Sequence, residues 1–208
     1  MLPGKSIALL AFALFCATWQ WQEAQAQVAL ERAFLLVSTP GMQDPNFSET
    51  VVLVVREGEG GPLGVILNRP STAELRAVYP DRAELAQRND LLFIGGPVQP
   101  EALLFAFRSA VAPAKGLHVI DDIYLSGYSE VLNQLLRHPE QAAEQRFFTG
   151  YSGWAEGQLE FEIARGDWYV LPLDVTAIFE RNPLDLYRQF LERATVRRIE
   201  ARSALPAY

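Results

Sequence analysis

The chain has 208 residues, half of them hydrophobic and 21 % charged, with a formal net charge of -7. That length and apolar content suffice for one domain with a sizeable core. The acidic balance argues against bulk binding to phosphate backbones, and a single cysteine, Cys16, leaves no disulfide framework within the chain.

The first residues differ from the rest. Lys5 is followed by a continuously apolar run, Ile7 to Ala17, and then by a polar stretch ending in Ala24-Gln25-Ala26. These are the three zones of a secretory leader with an A-x-A cleavage site. The apolar run is shorter than the ~20 residues that span a bilayer. Phe15 before Cys16 does not suit lipidation. The expectation is cleavage after Ala26, which removes the only cysteine and leaves no transmembrane anchor. Residues 1–26 then form a signal peptide, and 27–208 a single domain in the periplasm or secreted. A misassigned start would instead leave a cytoplasmic protein.

Phe34 to Ser38 reads as a short apolar strand, followed by a Pro-, Gly-, Asp- and Asn-rich loop, "TPGMQDPNFSE". Thr50 to Glu57 is β-branched and almost wholly apolar, as a central strand buried on both faces should be. The "GEGG" turn then leads into the strand "LGVILNRP", making an antiparallel hairpin. "STAELRAVYP" predicts a helix capped by Ser71 or Thr72, with Glu74 near the capping-box position; "RAELAQRND" extends it. "LLFIGG", "ALLFAFR", "LHVI" and "IYLSG" read as strands. "SEVLNQLLRHP" predicts an amphipathic helix capped by Ser129, burying Val131, Leu132, Leu135 and Leu136. "QRFFTGY" is extended. Pro183 opens a last helix, with Leu186, Tyr187, Phe190 and Leu191 on one face. Strands grouped in runs, without regular βαβ alternation, indicate a mixed α+β domain. The basic C-terminal residues Arg188, Arg193, Arg197, Arg198 and Arg202 are interrupted by Glu192 and Glu200, and read as a solvated helix face.

The chemical motifs are sparse. Gly58, Gly60 and Gly64 miss the dinucleotide-binding spacing, and a strand follows where a helix should begin. "GYSGW" departs from a nucleophile elbow at Trp154. His138 sits at a helix end before Pro139. His118 lies near Asp121 and Asp122; a Ser-His-Asp hydrolase site using Ser152 or Ser126 is a weak alternative to a satisfied surface cluster, and a metal site there would be poor. No metal or cofactor is expected.

"GYSGWAEGQLEFEIARGDWYV", Gly150 to Val170, is the most unusual stretch. Strict alternation from Gln158 to Ile163 favours a strand. Good helix formers and a stop at Gly166 favour a helix, and the helix is the expectation. Residues two apart on a helix diverge by about 200°, so Glu160 and Glu162 would not share a substrate. Gly150 and Gly153 are expected to turn the chain tightly, Trp154 to lock the helix start and Trp168 to begin a strand.

"FLLVSTPGMQDPNFSETVVLVV", "GPLGVILNRP", "FIGGPV" and the Gly150–Val170 stretch, in this order and spacing, resemble the YqgE/AlgH family of bacterial proteins, from about Ala29 to the Tyr187 region. The resemblance implies an α+β fold with a bifurcated, largely antiparallel sheet folded into a pseudo-barrel with surrounding helices, and a helix over Gln158–Arg165. The family has been labelled as transcriptional regulators and brings no established catalytic residues. Two departures stand out: the family is typically cytoplasmic without an export signal, and a strand that usually ends in a Cys-Glu-His-like run here ends in "VVREGEG".

The expected function is that of a non-catalytic module binding a small ligand or a protein partner, and no nucleic acid. A cytoplasmic transcriptional regulator is the alternative. The candidate site comprises Asn68 and Arg69, the glycines Gly95 and Gly96, and Trp154 with Gln158, converging on one anion-tolerant surface. Arg69 supplies a guanidinium fork, Gln158 a donor and an acceptor, and Trp154 a flat apolar wall. The competing expectation pairs Arg69 with Glu160 or Glu162 as a purely structural tie.

Overall fold

Strands β1 (Ala33–Ser38) and β2 (Val51–Val55) are buried along their whole length, as runs without polar alternation must be. They are the second and third strands along a curled sheet in a computed structural model that describes residues 31–56, 61–86, 88–137, 144–179 and 181–203, with side chains to residue 200. The leader with Ala26, the turn residues 57–60 with Gly58 and Gly60, and His138 lie outside the described residues.

The sheet continues with β3 (Leu63–Ile66), β4 (Pro70–Glu74), β5 (Leu91–Ile94), β6 (Val98–Arg108), β7 (Leu117–Ile120), β8 (Ile123–Ser126), β9 (Gln145–Gly153) and β10 (Trp168–Pro172). Its order is β10-β1-β2-β3-β9-β6-β8-β7, with β4 and β5 forming a branch. The fork lies on β9. Phe147–Thr149 pair in parallel with Leu92–Ile94, while Ser152 and Gly153 pair antiparallel with Gly64 and Leu63. Gly150, between these two sets, has φ +65°, which suits glycine and redirects the strand. An irregular register between Val98 and Leu103 of β6 lets that strand follow the bend. Every pairing except β5 with β9 is antiparallel.

Five α-helices surround this half-barrel among the described residues, α1 (Leu75–Val78), α2 (Ser129–Leu136), α3 (Gln158–Arg165), α4 (Thr176–Phe179) and α5 (Pro183–Ser203), with a single 3-10 turn at Ala83–Leu85 where an extension of the helix after Ser71 was expected. Alternate side chains of β1 and β2 part into two cores. Leu35, Val37, Leu53 and Val55 face the barrel interior, which α4 and α5 close with Ala177, Ile178, Leu186, Phe190 and Ala194. Phe34, Leu36, Val52 and Val54 face outward under α3, with Trp154, Leu159 and Trp168. A third core joins α2 to Phe105, Phe107 and Phe147.

Three local expectations are corrected. The helix expected from Ser71 begins only at Leu75, because Pro70–Glu74 pairs with β5 as a strand. The Ser71 hydroxyl accepts the Ala73 N–H in a local turn instead of capping a helix. Ser129 is the first residue of α2, not its cap; the capping position is Tyr128, whose N–H donates to Ser126 Oγ. Gly150 and Gly153 lie within β9, at the fork, rather than in a tight turn. The α3 helix forms as composition suggested, stopped by Gly166 at φ +89°. Phe161, which fits that helix worst, is 63 % exposed.

Candidate functional site

The loop from Thr39 to Glu49 joins β1 to β2 and is held from two sides. Asn68, just past β3, accepts the Val51 N–H at 2.8 Å and donates to the Glu49 carbonyl at 2.8 Å. Glu49 has φ +53°, a conformation that costs a side-chain-bearing residue about 1–2 kcal/mol and that Asn68 offsets. Arg69 reaches the carbonyls of Asn46 at 2.6 Å, Ser48 at 3.0 Å and Pro45 at 3.1 Å. Burial lowers the pKa of its guanidinium from the ordinary value, with Asp44 acting in the opposite sense. The expected ion pair between Arg69 and Glu160 or Glu162 is corrected here: Arg69 ties down a loop, and Glu160 pairs with Arg56 at 2.6 Å.

The loop delivers Phe47 to the tryptophans. Its ring stacks on Trp154 at 6.3 Å and meets Trp168 edge-on at 5.5 Å. Both indoles donate to the same oxygen of Glu162, each at 2.9 Å. The other Glu162 oxygen accepts Gln158 Nε2 at 2.9 Å, and Gln158 Oε1 accepts the Ala155 N–H at 3.0 Å. Asn68 and Arg69 are thus linked to Trp154 and Gln158 through the loop, with Phe47 against the Trp154 wall and Trp154 itself 5 % exposed.

Gly95 and Gly96 follow β5 beside the fork. The Gly95 N–H donates to the Thr149 carbonyl, and its own carbonyl accepts the Ile66 N–H and the Ser152 hydroxyl. A Cβ on Gly95 would lie 2.4 Å from the Gly150 carbonyl oxygen, and one on Gly96 2.3 Å from the Tyr151 carbonyl carbon. The close backbone approach expected of these glycines is made to β9.

His118 has Nε2 within 2.9 Å of the Asp121 carbonyl and Nδ1 within 3.4 Å of Arg32. Ser126 donates to the Lys115 carbonyl and Ser152 to that of Gly95, so neither hydroxyl is aimed at the imidazole. Among the described residues, no three metal-ligating side chains gather into a cation site. No described helix is long and apolar enough to cross a membrane.

A groove of about 880 Å³ opens between the end of β10, the Leu173–Val175 segment and α5. Leu171, Leu173, Val175, Phe190 and Val196 supply apolar wall; Arg193, Arg197 and Glu192 stand on its rim. Asp174 lies at the rim's base, with Arg193 at 2.6 Å and Arg181 at 3.1 Å on the same carboxylate oxygen. Burial pushes the Asp174 carboxyl upward, but hydrogen bonds from Thr176 and Arg193 and the charge of Arg181 outweigh it and hold the pKa at about 2. Arg193 also lies over the Phe190 ring, 4.8 Å from its centroid. Sequence reasoning missed this groove by reading the basic helix as a solvated face. The available signal was an apolar residue, Val196, set among Arg193, Arg197 and Arg198 in that basic run.

A forked, largely antiparallel sheet curled into a half-barrel, plugged by helices and bearing an open groove beside the last one, defines the class of this α+β domain. The chain belongs to the AlgH-like family, whose DUF179 model matches residues 35–198. It is 32 % identical over 164 residues to a UPF0301 protein of Cytophaga hutchinsonii, covering 78 % of this chain and 88 % of that one. It is 37 % identical over 168 residues to a UPF0301 protein of Streptomyces avermitilis, covering 76 % and 84 %. The solution structure of the AlgH protein from Pseudomonas aeruginosa superposes with a TM-score of 0.64 at 28 % identity, covering 85 % of this chain and 95 % of that one. A crystal structure of a Corynebacterium diphtheriae protein shares the fold, with a TM-score of 0.62 at 22 % identity over 81 % and 92 % of the two chains.

Proposed function

We propose that this chain is an exported, non-catalytic binding module, and that the groove between β10 and α5 takes up its ligand. The observation that carries the reading is the groove itself, with apolar walls, arginines on the rim and a volume inside the ~300–1,000 Å³ range of small-molecule sites. Export is supported by the three-zone N-terminus ending at Ala26, ahead of the family match that begins at residue 35. The net charge of -7 supports a partner other than nucleic acid.

The test isolates the protein from its host under mild conditions and identifies what dissociates on denaturation. Wild type should release a small molecule that Val196→Trp, which fills the groove, does not carry. Identical release from both variants would place binding elsewhere. Cell fractionation checks export: mature protein starting at Gln27 should appear outside the cytoplasm, and full-length protein confined to the cytosol would overturn this part.

A second reading is favoured by Phe47 between the two tryptophans. In it, Asn68, Arg69, Gly95, Gly96, Trp154 and Gln158 frame a site that opens when the Thr39–Glu49 loop withdraws Phe47. Phe47→Ala would then raise ligand uptake, whereas the groove reading expects no change.

A further inference from the structure

The charge on the groove rim suggests what the occupant carries. Asp174 is shared by two guanidinium groups, Arg181 and Arg193, on one oxygen. Arg197 lies one turn beyond Arg193 on α5 and, among the described residues, has no carboxylate partner. Glu192 is the other carboxylate lining the groove. Arg193 and Arg197 face Asp174 and Glu192 in the groove lining, and Arg181, from outside the lining, already pairs with the Asp174 oxygen that Arg193 uses, so the two groove arginines are incompletely neutralised on a protein of net charge -7. The other Asp174 oxygen accepts the backbone N–H and the hydroxyl of Thr176, which leaves it turned away from Arg197.

The arginines differ in what they offer. Arg181 is committed inward, to Thr176, Gln189 and Asp174. Arg193 is fixed between Asp174 and the Phe190 ring. Its planar fork uses Nη1 for Asp174, and the other edge remains for a second anion. Arg197 is exposed, so recruiting it costs little desolvation. Immediately inward of these heads the wall is aliphatic and aromatic, from Val196 and Phe190 on α5 to Leu171, Leu173 and Val175 on the opposite side. A wholly polar anion would leave that wall wet, and a neutral apolar molecule would leave the rim charge uncompensated.

We infer that the groove binds a single-chain amphiphile with an anionic head, a carboxylate or a phosphate monoester. Its head sits between Arg193 and Arg197, and its apolar chain runs over Phe190 and Val196. This rests on the groove being the binding site and adds the ligand's charge and shape. Attraction of a partly exposed head by two arginines is screened by salt, so affinity should fall as ionic strength rises.

The experiment titrates the mature protein with decanoate, decyl phosphate, decan-1-ol and decyltrimethylammonium by calorimetry, the charged probes below their micelle concentrations and decan-1-ol below its solubility limit. Decanoate or decyl phosphate should bind, and comparing the two separates a carboxylate from a phosphate head. Decanol should bind roughly tenfold or more weakly, as loss of a charge-assisted contact implies, and the cation not at all. Arg197→Gln, a change at an exposed helix position, should bring decanoate close to decanol, while Val196→Trp should abolish binding of both. Decanol binding as tightly as decanoate, with Val196→Trp still blocking both, would overturn the anionic head and leave the groove reading standing. Binding unaffected by Val196→Trp would overturn both. Uptake of an acidic peptide or of anionic phospholipid vesicles, with no binding of monomeric decanoate or decyl phosphate, would overturn the single-chain ligand.

Discussion

Trp154 and Trp168 donate their indole N–H groups to one and the same oxygen of Glu162. One indole precedes α3 and the other begins β10, so a single carboxylate on the helix ties both of its ends to the sheet. Trp154 and Trp168 also meet edge-on, with centroids 6.4 Å apart. The shared acceptor determines how the two large rings are oriented within the outer core.

Replacing Glu162 with Leu should therefore cost more than a surface change on a helix. Two mostly buried N–H groups would lose their acceptor, at about 1–3 kcal/mol for each donor left unsatisfied, partly offset by water reaching the half-buried carboxylate position. The expected net loss is about 2–4 kcal/mol in urea unfolding, with a changed tryptophan emission. Glu162→Gln keeps an acceptor and should lose less than half as much. A Glu162→Leu variant as stable as wild type would contradict this role.

Arg69 provides a second test. Its three hydrogen bonds end on backbone carbonyls of the loop that carries Phe47. Arg69→Ala should release that loop and lower stability by about 2–3 kcal/mol, or roughly 4–12 °C in melting temperature for a domain of this size. Arg69→Lys should restore little, because an ammonium on a flexible stem does not span three carbonyls. A melting point within about 1 °C of wild type, with ligand uptake lost, would instead support the site framed by Arg69 and Trp154.

Much of the fold was legible in the sequence where one signal dominated. The unbroken apolar runs of β1 and β2 marked strands buried on both faces. Good helix formers ending at Gly166 marked α3 against the misleading alternation around it. The segment after Pro70 was misread because its helix-forming composition yields to pairing of β4 with β5, a long-range partner that no local window contains. The candidate site was half legible. Glycines and an asparagine–arginine pair signalled demanding backbone geometry, and that geometry is present at the fork of β9 and in the Thr39–Glu49 loop. What composition could not reveal was that main-chain carbonyls, rather than a ligand, receive the Arg69 fork. The groove was invisible because residues 173–182 separate β10 from α5, and only folding brings Val196 and Leu171 to one groove.

Gly96 tests the backbone geometry at the fork. With an added Cβ placed 2.3 Å from the Tyr151 carbonyl carbon and 2.4 Å from its oxygen, Gly96→Ala must push β5 away from β9. Neither neighbour is a flexible side chain that can step aside. Overpacking of this kind typically costs 1–3 kcal/mol and more when backbone must move, so a loss of about 3 kcal/mol or poor soluble yield is expected. Gly157→Ala serves as the comparison. A Cβ there meets nothing within 4 Å, and the penalty is limited to its left-handed φ of +75°, about 1 kcal/mol. Equal losses at the two positions would mean that the close approach to β9 has no energetic weight.

Asp174 makes stability depend on pH in a definite direction. Its carboxyl titrates at about 2 in the folded protein against an ordinary 3.8. The unfolded chain therefore takes up this proton first as pH falls. The stabilisation from Asp174 is fully present above the ordinary value and is lost as pH drops from about 4 through about 2. Because Arg193 and the rim are partly exposed, the contribution is on the order of 1 kcal/mol once solvent screening is counted. Asp174→Asn should accordingly be less stable than wild type at pH 7, and the two urea midpoints should approach each other between pH 4 and pH 2. The same variant leaves Arg181 and Arg193 without their shared carboxylate. The rim then gains positive charge, and an anionic amphiphile should bind more tightly to Asp174→Asn at neutral pH even though the protein itself is weaker. Weaker binding together with weaker folding would show that Asp174 acts by positioning Arg193 rather than by compensating its charge.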